Sequence, residues 1–516
     1  MKMSRNAASA VLDDCDMGAF YGGTIDGVTR KIRDRWFTDL GVNTILISPI
    51  FEQIAGWVPS AGKDFCHYAY HGYFTLDYTV MDRRFGNEAD LRDLVDCAHA
   101  VGIRVLLDVV LNHPGYPEPS TFRNVGISGW DPGWEAAEPK NFYDYMNRSS
   151  SSFNDWWGPD WVRCDLPGYS PGGCDDYTML LHGLPDFKTE DERFVSLPIF
   201  LRNKADTRAM DMPDTTVRGY LVKWLSDWVR EYGFDGFRCD SARHVEPETW
   251  AQLKHACVQA KREWWEQQRD RSGATPHFWL LGEVFGHGVE RSSYFDCGFD
   301  SLLNFSFQED IERGIHLDAL YEDYAAQLHE HSDLSFVSYV SSHDTHLLDR
   351  RKIREGSAAL MLAPGGVLLF YGDETGRLPG APNEQDPAQA ARSPMNWGAT
   401  DAQLLMHWRK LSRFRTRHPA VANGVHLKLF DCPYVFARLD TTGDRVLVAM
   451  AVDGYLSLPV GEMFADGQQV RDAYGGWRGV VKDGRVSLNA DGFVLLETDD
   501  GSAWYPDMDC RGRGLP

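Results

Sequence analysis

The chain has 516 residues, with 52 Lys plus Arg against 75 Asp plus Glu, a formal net charge of −23 with histidine neutral. An acidic excess of this size, with no basic stripe to set against it, argues against a nucleic-acid partner and against binding to an anionic membrane surface. At 43% hydrophobic and 25% charged residues, the composition is that of a soluble globular protein long enough for two or three domains. The longest apolar run, Ala358 to Tyr371, is broken by Pro364, Gly365 and Gly366 and is too short to span a bilayer.

In chain order, Met1 to Leu12 lacks the continuous apolar core of a signal peptide. Short runs rich in Val, Ile and Leu then recur at Thr44–Ser48, Arg104–Val110, Phe278–Leu281, Phe336–Val340 and Val367–Tyr371. Amphipathic stretches lie between them. Glu88–Val101 and Val217–Tyr232 repeat apolar residues at helical steps and end near Gly102 and Gly233. Strand alternating with helix predicts an α/β fold around a parallel sheet. Between Val110 and Thr216 the chain is rich in Gly, Pro, Ser, Asp and Trp, too long for a loop and read as an inserted subdomain. Several of the 17 tryptophans cluster there, between Trp130 and Trp161, and exposed ones among them would suit the C–H faces of sugars. Cys164 and Cys174 flank a turn-rich loop, which fits either a local disulfide or two free thiols; no C-x-x-C pair is present. After a helix over Asp401–Arg417, alternating runs at Tyr434–Leu439, Arg445–Val452 and Gly492–Glu497 predict a separate antiparallel β domain. The domains are therefore drawn as a barrel over 1–112 and 206–421, an insert over 113–205, a β domain over 422–500 and a tail over 501–516.

Four polar clusters fall at the C-terminal ends of predicted parallel strands: Asp108 with Asn112 and His113, Arg238 with Asp240 and His244, Glu283, and His343 with Asp344. Barrel enzymes keep their active sites at that end. Residues two apart on a strand share a face, so Arg238 lies beside Asp240 and favours its charged form. Carboxylates converging at a buried strand end are costly and call for a chemical reason.

Taken together and in order, these stretches resemble the α-amylase family of glycoside hydrolases. Asp108-Val-Val-Leu-Asn-His113, Gly236-Phe-Arg-Cys-Asp-Ser-Ala-Arg-His244, Gly282-Glu-Val284 and Ser341-Ser-His-Asp344 are similar to its four motifs. Supporting stretches are Tyr70-His-Gly-Tyr73, Gly183-Leu-Pro-Asp186, Phe370-Tyr-Gly-Asp-Glu374 and Arg392-Ser-Pro-Met-Asn-Trp397, and the resemblance covers roughly residues 18 to 500. Within the family, the bacterial periplasmic maltodextrin type is the nearest in appearance, through Pro49-Ile-Phe-Glu-Gln-Ile-Ala-Gly-Trp57.

The resemblance implies a (β/α)8 barrel with an insert after its third strand and a C-terminal antiparallel β-sandwich. It makes Asp240 the nucleophile, Glu283 the general acid and base, and Asp344 the third carboxylate, with Tyr73, His113, Arg238, Arg243, His244 and His343 as substrate contacts. The implied activity is retaining, endo-acting hydrolysis of α-1,4-glucans; the alternatives are glucan transfer through the same intermediate and a non-catalytic glucan-binding relative. Calcium between barrel and insert is implied as well, held by Asn112, Asp176 and the backbone carbonyl of His244. Ser342 stands where chloride-activated members carry Asn, so no chloride is expected. Arg243 replaces a Lys common in the family, which changes the grip on the sugar beyond the scissile bond. By resemblance the location is periplasmic or secreted. Ahead of Phe20 only Ala8–Leu12, a short and poor candidate, could supply the first barrel strand, so either the barrel is incomplete or the chain has lost its true beginning.

Overall fold

The computed structural model describes residues 18–20, 23–268, 277–331, 333–380 and 387–501. These form two compact units, one of residues up to 308 with 333–350 and 369–401, the other of 309–331, 351–368 and 402–501.

In the first unit the Val-, Ile- and Leu-rich runs form parallel strands. Their order across the sheet is Thr44–Ile47, Arg104–Val110, Gly236–Asp240, Trp279–Gly282, Ser301–Asn304 and Phe336–Ser338. Each neighbouring pair is parallel. Spatial order follows chain order, as in a barrel assembled from successive strand–helix repeats. The register sets Val110 opposite Asp240 and Cys239 opposite Gly282, which brings the residues after each strand to one rim.

Two strands depart from the sequence reading. Ser301–Asn304 has only Leu302 and Leu303 to mark it and escapes a pattern search. Val367–Tyr371 shrinks to Gly366–Val367. The candidate first strand, Ala8–Leu12, lies outside the described residues.

The helices start and stop where local chemistry directs them. Asn87 accepts from the Ala89 and Asp90 amides, and Asp90 accepts from the Asn87 amide, a reciprocal cap that opens Glu88–Ala100. Thr216 accepts from the Gly219 amide to open Val217–Tyr232, which closes at Gly233 with a φ of 76°. That second helix buries Tyr220, Leu221, Trp224, Leu225, Trp228 and Val229.

The insert has little regular structure. Val162–Arg163 pairs antiparallel with Asp186–Phe187, and the Phe187 amide donates to the Asn112 carbonyl at 2.9 Å, tying the insert to the end of a barrel strand. Trp156, Trp157 and Trp161 are buried, and Trp161 stacks on Trp224 of the Val217–Tyr232 helix at 5.8 Å and 10°. These three are shared core, not platforms for sugar. Cys164 is buried, Cys174 is exposed, and both are free thiols.

The second unit holds a six-stranded antiparallel sheet in the order Val425–Phe430, Tyr434–Leu439, Arg445–Pro459, Arg485–Thr498, Gln469–Asp472 and Arg478–Val480. The helices Leu317–Glu330, Ile353–Met361 and Ala402–Arg417 accompany it. His407 spans the Arg354 carbonyl at 2.9 Å and the Tyr474 hydroxyl at 2.8 Å. His418 lies between Asp444 and Glu497, at 2.8 Å and 2.6 Å. Among the described residues no helix is long and apolar enough to cross a membrane.

Candidate active site

The four polar clusters meet around one guanidinium. Arg238 is fully buried on the Gly236–Asp240 strand. Its Nη1 donates to Asp240 Oδ1 at 2.6 Å and to the two Asp108 oxygens at 3.1 and 3.2 Å. Its Nη2 lies 2.9 Å from Glu283 Oε1 and 3.2 Å from Asp344 Oδ2. Four carboxyl groups from four segments thus share one cation, and charge-assisted bonds of this kind offset the cost of burying them.

Their environments set them apart. Burial raises Glu283 well above the usual carboxylate range, with Arg238 pulling part of the way back. That keeps a proton on the group cast as general acid. Burial also acts on Asp344, but His343 at 2.9 Å, Arg238 and Arg392 outweigh it and hold Asp344 below its ordinary value. Burial pushes Asp108 up to about 7, against the pull of Arg238.

Ser241 connects Asp240 and Glu283. It turns the chain with a φ of 51°, its amide donates to Glu283 Oε2 at 2.7 Å, and its hydroxyl donates to Asp240 Oδ2 at 2.7 Å. Tyr73 donates to Asp108 Oδ2 at 2.6 Å, and its hydroxyl lies 2.8 Å from His343 Nε2. The rings of Tyr73 and His343 are parallel to within 6° at 5.9 Å. His113 is buried and brought down to about 4 by desolvation, which leaves the ring neutral at pH 7. Its Nδ1 meets Asn112 Oδ1 at 3.0 Å, and Nε2 is buried without a protein partner, free for a substrate hydroxyl.

Arg243 and His244 stand apart from this group, with Asp176. Arg243 is exposed and donates to Asp176 Oδ2 at 2.9 Å, while His244 Nδ1 meets the Asp176 carbonyl at 2.8 Å. The expected metal ligands are therefore not brought together as a set. Asn112 Nδ2 donates to the His244 carbonyl at 3.1 Å, but its other partner is Asp186 Oδ1 at 3.2 Å. Asp176 turns its carboxylate to the exposed Arg243 guanidinium, and Asp186 is the carboxylate that meets Asn112.

Sequence reasoning placed Asp108 in a strand-end cluster without a role of its own and named Arg392 only as part of a motif. Arg392 donates to the His343 carbonyl at 3.0 Å and to Asp344 Oδ1 at 3.3 Å. It missed Ser241, for which the only signal was a small polar residue directly after the nucleophile. Ser342 accepts from the amides of Asp344 and Thr345 at 3.2 and 3.1 Å and shapes the loop that carries the third carboxylate.

Comparison with known proteins agrees with this geometry. The family model described as "Alpha amylase, catalytic domain" matches residues 4–420. A periplasmic α-amylase of Escherichia coli is 42% identical over 464 residues, covering 84% of this chain and 67% of that protein. A cyclomaltodextrin glucanotransferase of Bacillus licheniformis is 24% identical over 82% of this chain and 52% of its own length. Among solved structures, the α-amylase of Geobacillus thermoleovorans complexed with acarbose superposes with a TM-score of 0.65 at 19% identity, over 96% of this chain and 95% of that one. With four carboxylates gathered on Arg238 at the rim of a parallel sheet, and with this match over most of its length, the chain belongs to the α-amylase family.

Proposed function

We propose that the protein hydrolyses internal α-1,4-glucosidic bonds of starch, maltodextrins and maltooligosaccharides with retention of anomeric configuration. The observation that carries this reading is the pair Asp240 and Glu283, linked through Ser241 and both bonded to Arg238. Retaining glycosidases need two carboxyl groups about 5 Å apart, one ionised and one protonated. Asp240, in a charge-assisted bond to Arg238, attacks the anomeric carbon. Glu283, protonated through burial, gives its proton to the leaving oxygen and then takes one from the attacking water. Asp344 grips sugar hydroxyls as the ring flattens toward an oxocarbenium ion, and His113 Nε2 and His343 contact the same sugar. Tyr73 stacks on that sugar.

Transfer of the glycosyl group to a sugar hydroxyl is the second reading. Its support is the glucanotransferase among the relatives. A periplasmic or secreted location belongs to the same proposal and is supported by the name of the Escherichia coli relative.

Incubation with maltoheptaose tests the reading. Shorter maltooligosaccharides that first appear as α anomers by proton NMR support it. Chains longer than the substrate favour transfer, and β anomers appearing first exclude retention.

A further inference from the structure

His182 is held in the left-handed region, with φ 53° and ψ 26°, in the insert two residues before the buried Leu184. A side chain other than glycine is strained there, and strain of this kind concentrates at functional sites. The backbone around it is fixed from several directions. The Tyr116 hydroxyl donates to the His182 carbonyl at 2.6 Å, and the Gly183 and Leu184 amides donate to the Leu180 and Leu181 carbonyls, each at 3.0 Å. Leu184 is buried in a cluster with Phe74, against which Tyr116 packs edge-on with ring centroids 4.9 Å apart. All of these contacts use the His182 backbone or its neighbours. The His182 ring itself is exposed and makes no hydrogen bond among the described residues, so glycine would serve the turn without strain.

The residue also stands close to the catalytic pocket. Burial brings His113 down to about 4, Asp240 draws it up, and a charge on His182 presses it down again, so the two imidazoles lie within electrostatic reach. His113 Nε2 is the buried, unpartnered nitrogen assigned above to the sugar at the cleavage site. With His113, Tyr73 and His343 already given to that sugar, an exposed imidazole at the rim is left for the next one along the chain.

We infer that His182 is a further substrate contact, an imidazole on the insert that hydrogen-bonds the glucosyl unit adjoining the one held by His113, its strained backbone supported by Tyr116. The inference rests on the glucan reading above.

The test compares His182→Gly with the parent, both as the full chain, for kinetics on maltoheptaose and for melting temperature. Glycine accepts a φ of 53° without strain, so the variant is expected to melt no lower than the parent. Its kcat/KM is expected to fall about 3- to 10-fold, the loss of one neutral hydrogen bond, with KM rising more than kcat falls. Stability and activity would then move in opposite directions, which a residue serving only the turn does not do. A variant that melts at or above the parent with unchanged kinetics overturns the inference. So does a variant that melts several degrees lower, since the imidazole then serves the fold. A parent chain that does not cleave maltoheptaose fails the glucan reading and takes this inference with it, whereas a parent that cleaves it beside an equally active variant fails this inference alone.

Discussion

The Ser241 amide donates to Glu283 Oε2 at 2.7 Å, so the residue that follows Asp240 in the chain also fixes Glu283 from the neighbouring strand. The Ser241 hydroxyl completes the link by donating to Asp240 Oδ2. Ser241→Ala keeps the amide bond and loses only the hydroxyl bond. Since hydrogen bonds to charged groups are worth about 1.5–3 kcal/mol, kcat/KM on maltoheptaose should fall about 10- to 100-fold. Ser241→Gly should lose the same activity while melting no lower than Ser241→Ala, because glycine adopts a φ of 51° without strain. Unchanged kinetics in both variants would show that the hydroxyl does nothing for Asp240.

Asp240→Asn removes the attacking group and keeps its size. Turnover should fall on the order of 10⁴-fold or more, with maltooligosaccharide binding by calorimetry close to that of the parent protein. Turnover within tenfold of the parent would remove Asp240 from the nucleophile's role.

Glu283 acts first as an acid, so its proton must be present. Its value in the folded protein is raised by burial, and activity should therefore persist above the ordinary carboxylate range and fall as pH climbs through that raised value. Glu283→Gln should lose this alkaline limb. It should also lose far less on α-maltosyl fluoride, whose leaving group needs little protonation, than on maltoheptaose. Equal losses on both substrates would argue against the acid role.

Much of this site was legible before any coordinates. Asp240, Glu283 and Asp344 sit at strand ends, and strand periodicity put Arg238 on the same side as Asp240. What could not be read was long-range pairing. Asp186 lay in a stretch already noted, yet its contact with Asn112 depends on a hydrogen bond from Phe187 that spans about 75 residues. Arg163 faces Asp186 through a two-residue ladder too short to leave a pattern. Which tryptophans of the insert are core could not be read, because composition records how many there are, not which side of the chain meets Trp224. Ser301–Asn304 went unseen for a similar reason: its place comes from its neighbours on either side, Leu281 opposite Ser301 and Phe336 opposite Leu302, more than from its own apolar residues.

In the second unit, Glu497 accepts from His418 at 2.6 Å, Arg417 at 2.9 Å and Arg471 at 2.6 Å. Burial alone would raise it, but these partners bring it from 4.5 down to about 2. A depressed carboxyl stabilises the fold above its unfolded value and loses that contribution as pH falls toward 2. The contribution is on the order of 3 kcal/mol. His418, raised by Glu497 and Asp444 in spite of burial, acts in the opposite sense, and its share is lost as pH rises through its folded value. Glu497→Gln should lower the melting temperature at pH 6 and flatten its decline between pH 5 and pH 3. A variant with the same steep acid decline as the parent would assign that decline to other groups.

The stack of Trp161 on Trp224 crosses from the insert to a helix that begins only after the insert has ended. During synthesis the insert therefore waits for its main aromatic partner until the Val217–Tyr232 helix has left the ribosome, and a fragment ending at residue 205 lacks the surface on which its tryptophans close. The same holds for engineering. Exchanging this insert between related enzymes moves only half of a shared core, so a chimera keeps that core closed only if Tyr220 and Trp224 are carried over with it.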